Sequence, residues 1–189
     1  MARAGLTADR LARVGAELAD EIGFECVTVA AVARHFDVKP ASLYSHVQSS
    51  ADLRTRIALF ALEQLADRAS EAVAGRAGKD ALAALADSYR VYAQEHPGRF
   101  AATELRLDPE TAIRSAGPRH SQLTRAILRG YELTDVDEMH AVRLFGSTVR
   151  GFIGLEMSGS FSHSSPDSDE SWHRIIDALD ATLRHWPAR

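Results

Sequence analysis

Apolar residues recur along this chain at three- and four-residue intervals, the spacing of one face of an α-helix, and no segment alternates with the two-residue period of a strand hairpin. The pattern predicts an all-α protein. Leu11, Val14, Leu18 and Ile22 mark a first helix, with Asp9 and Arg10 near its start and Gly23 where it ends. Val29, Val32, Ala33 and Phe36 then fall at i, i+3, i+4 and i+7 behind Thr28, whose hydroxyl suits an N-cap. Asp37-Val38-Lys39 is turn-prone, and Pro40 fits the first turn of a third helix, where its missing N–H has no intrahelical role. Leu43 and Val47, four apart, face the core of Val32 and Phe36. A fourth helix starts near Ser50, whose side chain can cap it, and runs through Leu53, Ile57, Phe60, Ala61 and Leu65 towards Gly75. It makes a connector of ~35 Å at 1.5 Å per residue.

Beyond Gly78 the pattern stays helical. Leu82, Leu85, Tyr89, Val91 and Tyr92 precede a break at His96-Pro97-Gly98, and a short helix runs from Arg99 to Leu107. Asp108-Pro109 and Gly117-Pro118 are further boundaries. Leu123, Ile127, Leu128 and Tyr131 mark a helix ending near Gly130. Val142, Phe145, Val149, Phe152, Ile153 and Met157 mark one starting near Asp135. Trp172, Ile175, Ile176, Leu179, Leu183 and Trp186 form the last stripe. Two domains are expected: residues 1–50, a three-helix unit, and residues 51–189, a larger all-helical unit.

The third helix carries the chemistry. With Leu43 and Val47 inward, Lys39, Pro40, Ala41, Ser42, Tyr44, Ser45 and His46 are left outside, mostly small or hydrogen-bonding side chains. Small residues let a helix approach base edges, Ser bonds base or phosphate, and Ala offers apolar contact to a thymine methyl. Tyr and His can donate to phosphates. Thr28 and Ser50, at the starts of the flanking helices, complete the expected DNA-binding set.

This segment resembles the DNA-binding domain of the tetracycline-repressor (TetR/AcrR) family of transcriptional regulators. The likeness is carried by Thr28 to Ala33, Val38 to Ser42, Leu43-Tyr44-Ser45-His46-Val47 and Leu53. The resemblance implies that Tyr44 and His46 contact backbone phosphates. Where the family commonly has a phosphate-contacting Lys, this chain has Ser50. The tracts Tyr89 to Phe100 and Phe145 to Glu156 resemble the C-terminal domain of a branch with a Trp-His-Gly signature, although Phe145 and Arg150-Gly151 replace the signature residues.

Composition narrows the picture without redirecting it. The chain has 189 residues, 46% hydrophobic and 25% charged, ordinary for a globular protein, with a net charge of −4. Within residues 1–56 the basic and acidic side chains balance, and the acidic excess falls later. DNA affinity must therefore come from local placement of Arg3, Arg10, Arg13, Lys39, Arg54 and Arg56. The single cysteine, Cys26, excludes an intramolecular disulfide and suits a buried packing role. No apolar run is long enough for a membrane span and no secretory leader is legible, so a cytoplasmic location without membrane association is expected.

Catalytic readings find little support. Ser160, His163 and Asp167 lie in a Ser-rich, acidic connection with no rigid element to fix a nucleophile. No short histidine-ligand spacing or phosphate-binding glycine motif occurs, and no metal or other cofactor is expected. Gly146, Gly151 and Gly154 within one apolar helix suggest close approach of another helix or of a ligand.

Family resemblance implies a homodimer built from the last two long helices, a palindromic double-stranded DNA operator, and release by a small apolar or aromatic effector. The final stripe, with Trp172 and Trp186, suits such an interface, though a monomer core can use the same stripe. Tyr89, Tyr92, Phe100, Phe145, Val149 and Phe152 are candidate walls of an effector cavity. Glu104 and Arg150, with Arg99 and Glu156, are candidate polar contacts. A repressor released by an effector is the leading reading. A constitutive DNA-binding regulator of the same fold is the alternative.

Overall fold

A computed structural model describes residues 5–187; Arg3, counted above in the basic footprint, lies outside the described residues. Nine α-helices and three short 3₁₀ segments make up the described fold, and no strand occurs among these residues. Contacts divide the chain into two compact units: residues 1–64 with 95–116, and residues 65–94 with 117–189.

In the first unit, α1 (Ala8–Ile22) starts at Thr7, whose hydroxyl accepts from the Arg10 N–H at 3.2 Å. It stops at Gly23, which takes φ 84° and returns its N–H to the Ala19 carbonyl. The buried stripe is Leu11, Ala12, Val14, Gly15, Ala16 and Ala19; Leu18 is only half-buried and Ile22 is exposed. A 3₁₀ turn over Phe24–Cys26 buries Phe24 and leaves Cys26 exposed, contrary to its expected packing role. The turn points the larger aromatic inward, and the thiol two residues on faces out. α2 (Val29–His35) follows its Thr28 cap, which accepts from the Ala31 N–H at 3.1 Å.

The third element is shorter and tighter than a full α-helix: a 3₁₀ segment, Pro40–Ser45. Its ends are closed by i→i+3 bonds, from the Ser42 N–H to the Lys39 carbonyl and from the His46 N–H to the Leu43 carbonyl, both at 2.9 Å. α3 (Ser50–Val73) is capped by Ser49 rather than Ser50: the Ser49 hydroxyl accepts from the Asp52 N–H, and the Asp52 carboxylate accepts from the Gln48 N–H at 2.8 Å. Leu53, Ile57 and Ala61 from α3 enter the same core as Leu11, Val32, Leu43 and Val47, which is why the first unit extends past residue 50.

Residues 95–116 return to this unit. α5 (Pro97–Ala102) lies so close to α1 that a Cβ on Gly98 would sit 1.9 Å from the Ala19 carbonyl oxygen, so only glycine fits. Asp20 holds the crossing, accepting from the Arg99 N–H at 2.8 Å and pairing with the Arg99 Nε and His96 Nδ1 at 3.0 and 3.1 Å. A helix the hydrophobic pattern does not reveal, α6 (Pro109–Arg114), is capped by Asp108 and buries none of its residues.

The second unit is built from α4 (Gly78–Glu95), α7 (Gly117–Leu128), α8 (Asp135–Met157) and α9 (Ser168–Arg184), together with the last turns of α3. Thr134 caps α8 and Asp167 caps α9. Leu82, Leu85 and Tyr92 of α4, Phe145, Val149 and Ile153 of α8, and Trp172, Ile176, Leu179 and Leu183 of α9 are its buried centre. Arg90, only 8% exposed, binds the Glu156 carboxylate with both Nε and Nη2, and its Nη2 also donates to Asp169 at 2.6 Å. The Trp172 indole N–H donates to Asp87 at 2.7 Å.

Candidate nucleic-acid interface

The face expected to read DNA follows from one local rule, that Leu43 and Val47 go in. They are 0% and 1% exposed, sealed against Val32 and Leu53. Lys39, Pro40, Ala41, Ser42, Tyr44 and Ser45 are thereby exposed, and His46 is half-buried at the end of the segment. Tyr44 is 53% exposed although large and aromatic, which leaves its hydroxyl available to an external acceptor. The exposed Ser45 hydroxyl donates to the Ser42 carbonyl at 2.9 Å. The turn leading in is set by Asp37 at φ 52° and by the Val38 N–H bonding the Ala33 carbonyl at 3.1 Å. Thr28 and Ser50, both exposed, stand at the starts of α2 and α3.

Several of the basic residues are partly committed elsewhere. Arg56 pairs with Asp52 at 3.0 Å, and Arg54 with Glu25 at 2.6 Å. Arg10 lies over Phe36 and Arg13 over Phe60, with 5.1 and 5.8 Å to the ring centroids. The Asp52–Arg56 pair has the i,i+4 spacing of one helix face, whereas Arg54, Arg10 and Arg13 meet residues on other elements, of which sequence spacing gives no sign.

The residues expected around an effector cavity divide between the two units. Phe100 is buried and Glu104 exposed in the first; Tyr89, Tyr92, Phe145, Val149, Arg150 and Phe152 belong to the second. There Tyr89, Tyr92, Phe145, Val149 and Phe152 are all at most 6% exposed and pack as core. Phe152 contacts Phe161 and Trp172 with ring centroids 5.0 Å apart. The Tyr89 hydroxyl hydrogen-bonds His120 Nδ1 at 2.7 Å, a partner the sequence pattern did not single out. Burial pushes the Tyr89 phenol up to about 12, against the opposing pull of the Arg150 charge. Of the expected polar contacts, Arg99 is held by Asp20 and Glu156 by Arg90.

Among the described residues of the second unit are clefts of about 220, 260 and 210 Å³. The first is lined by Val73, Ala77, Ala81, Leu123 and Ile127 with Arg76, where the end of α3, the start of α4 and α7 meet. None of the three is lined by the eight residues expected around an effector. Ser160 bonds Ser158, and Asp167 caps α9, so neither is aligned as part of a catalytic triad. No group of three or more potential metal ligands is assembled among the described residues.

A helix-turn-helix with an outward recognition segment, followed by an all-helical second unit, defines a DNA-binding regulator. Residues 82–179 match the family described as the tetracycline repressor-like C-terminal domain. The chain is 33% identical over 153 residues to the uncharacterized HTH-type transcriptional regulator Rv0681 of Mycobacterium tuberculosis, covering 79% of this chain and 69% of the relative. It is 28% identical over 182 residues to the HTH-type regulator YobS of Bacillus subtilis, covering 96% and 91%. A TetR variant from Acinetobacter baumannii, solved in complex with minocycline, superposes with a TM-score of 0.71 at 18% identity, covering 98% of this chain and all of that one. The chain belongs to the TetR family of transcriptional regulators. No helix among the described residues is long and apolar enough to cross a membrane.

Proposed function

We propose that this protein is a repressor that binds a palindromic operator as a homodimer in the cytoplasm and leaves it when a small apolar or aromatic effector binds. The observation that carries the reading is the exposed Lys39–Ser45 surface standing on buried Leu43 and Val47. In this reading Lys39, Ala41, Ser42 and Ser45 face base edges. Tyr44 and His46 hold phosphates, with Thr28, Pro40 and Ser50 against the backbone at the helix starts.

The homodimer reading rests on the outer side of α8. Val136, Met139, Leu155 and Met157 are 42–62% exposed there, and a Cβ added to Gly146, Gly151 or Gly154 would meet nothing within 4 Å. The close approach that those glycines suggest is thus not made within the protomer, and a second copy is the partner that a repeated half-site requires. Ile176 and Leu179, expected at the interface, are 4% and 5% exposed in the protomer core instead.

Selection of bound duplexes from a random pool at fixed salt tests the DNA reading. A palindromic site should be enriched; Ser42→Ala and Ser45→Ala should relax preference at particular bases, and Tyr44→Phe and His46→Ala should weaken all sequences alike. No enrichment by the wild-type protein would refute it. The effector reading draws on the minocycline-bound neighbour and on the apolar cleft at the end of α3, a helix shared by both compact units. The constitutive alternative draws on the packed state of Tyr89, Tyr92, Phe145 and Phe152. Titrating the DNA complex with a panel of small aromatic and apolar compounds separates them, since only the first predicts release.

A further inference from the structure

We infer that Arg54 is a DNA-phosphate contact and that Glu25 is its built-in competitor, a carboxylate that occupies the guanidinium until a phosphate replaces it. This rests on the DNA-facing surface proposed above. Arg54 sits one turn after Ser50 on α3, on the same helix face, and helical side chains lean back towards the N-terminus. Its head is thereby carried towards the edge from which α3 starts.

The guanidinium lies 4.5 Å from the ring centroid of Phe24, which is itself 4% exposed, so its plane is fixed by packing. Its Nη2 meets Glu25 Oε1 at 2.6 Å, and Glu25 lies three residues before the α2 cap Thr28. The Arg54 side chain is 26% exposed and that of Glu25 is 80% exposed. An ion pair in that position is weak and exchangeable. The contrast with Arg90 is instructive: there two carboxylates and a bidentate geometry lock the cation, whereas Arg54 has a single carboxylate and its Nε has no hydrogen-bond partner. The two cations differ accordingly: Arg90 keeps its carboxylates, whereas Arg54, held in place on Phe24, can exchange the anion at its exposed Nη2 edge.

The consequence falls on non-specific affinity. With basic and acidic charges balanced over residues 1–56, one neutralised arginine is a large fraction of what the surface can offer a polyanion. Glu25 subtracts from grip on arbitrary DNA, while an operator that fixes the recognition segment in register can supply a phosphate where the carboxylate now lies.

The test measures binding of wild-type protein and Glu25→Gln to a short duplex of random sequence across a salt series. Glu25→Gln should bind about fivefold tighter at low salt, with a slope of log K against log salt steeper by about 0.9, the signature of one added phosphate contact. In an Arg54→Gln background the same change should give no steepening, and Arg54→Lys should restore part of it. An unchanged affinity in Glu25→Gln would overturn the inference, as would an equal gain with Arg54→Gln present, since Glu25 would then act only as a free charge. Glu25 is exposed enough for its replacement to leave the fold intact, so the single variant carries the test. Failure of wild-type protein to bind the duplex at any salt would refute the DNA-facing surface and this inference with it; wild-type binding without the Glu25 effect removes the inference alone.

Discussion

Asp37 occupies the left-handed region at φ 52° in the turn that launches the recognition segment. Aspartate tolerates this conformation better than most residues, and a β-branched side chain does not. Asp37→Val should lower unfolding free energy by about 1–2 kcal/mol, whereas Asp37→Gly should leave it unchanged or slightly raised, both read from urea denaturation. The contrast isolates backbone strain from charge, because both changes remove the carboxylate. At this scale the sequence was informative where a residue's partners are near in the chain: Thr28 caps α2 as its position implies. It was less so where they are distant. Nothing around Cys26 distinguishes an exposed thiol from a buried one, and Asp20 shows its role only once α5 has returned to α1.

Among the elements, α4, α8 and α9 are joined at Arg90. The Arg90 guanidinium is held protonated above its ordinary range, chiefly by its hydrogen bonds to Glu156, and Glu156 is held below the usual carboxylate range chiefly by Arg90, although burial opposes this. A carboxylate depressed in the folded state contributes stability that is present above the unfolded value of about 4.3 and is lost as pH falls through the folded value. The urea midpoint of the wild-type protein should therefore drop as pH is lowered from 5, and Glu156→Gln should make that drop shallower while lowering stability at pH 7. Arg90→Ala, which strands the carboxylate, should cost about 3 kcal/mol at neutral pH. Helical periodicity revealed these elements but not what covers them: the α9 stripe reads first as an interface, with a monomer core the lesser alternative, yet Trp172, Ile176 and Leu179 are buried within the protomer. α6 escaped notice because Pro109–Arg114 has no apolar stripe, its one large apolar residue, Ile113, being 74% exposed.

For the whole molecule, the outer face of α8 yields the sharpest expectation. Leu155→Asp with Gly151→Gln should give folded monomers by sedimentation, with a melting temperature near that of a wild-type protomer and much weaker operator binding, because one linked half-site reader raises the effective concentration of the other. Ile176→Asp should instead unfold the chain, as it buries a charge in the protomer core. A wild-type chain that sediments as a monomer at micromolar concentration while gripping a palindromic site would remove the dimer from the account.

The interleaving of the two compact units also has a consequence in time. A chain emerging from the ribosome presents α1 to Gln64 first, yet the partner of Ala19 and Asp20 arrives only with Pro97–Ala102. Synthesis of the stretch from Gln64 to Ala102 takes on the order of 2–8 s at roughly 5–20 residues per second. During that interval the DNA-reading helices are on the outside of the ribosome with one flank uncovered. Nascent chains stalled just after Gln64 has emerged should be cut readily within α1 by protease, and those stalled after Ala102 has emerged should resist. The order in which the gene is read thus withholds a finished recognition surface until the helix that braces it has been made.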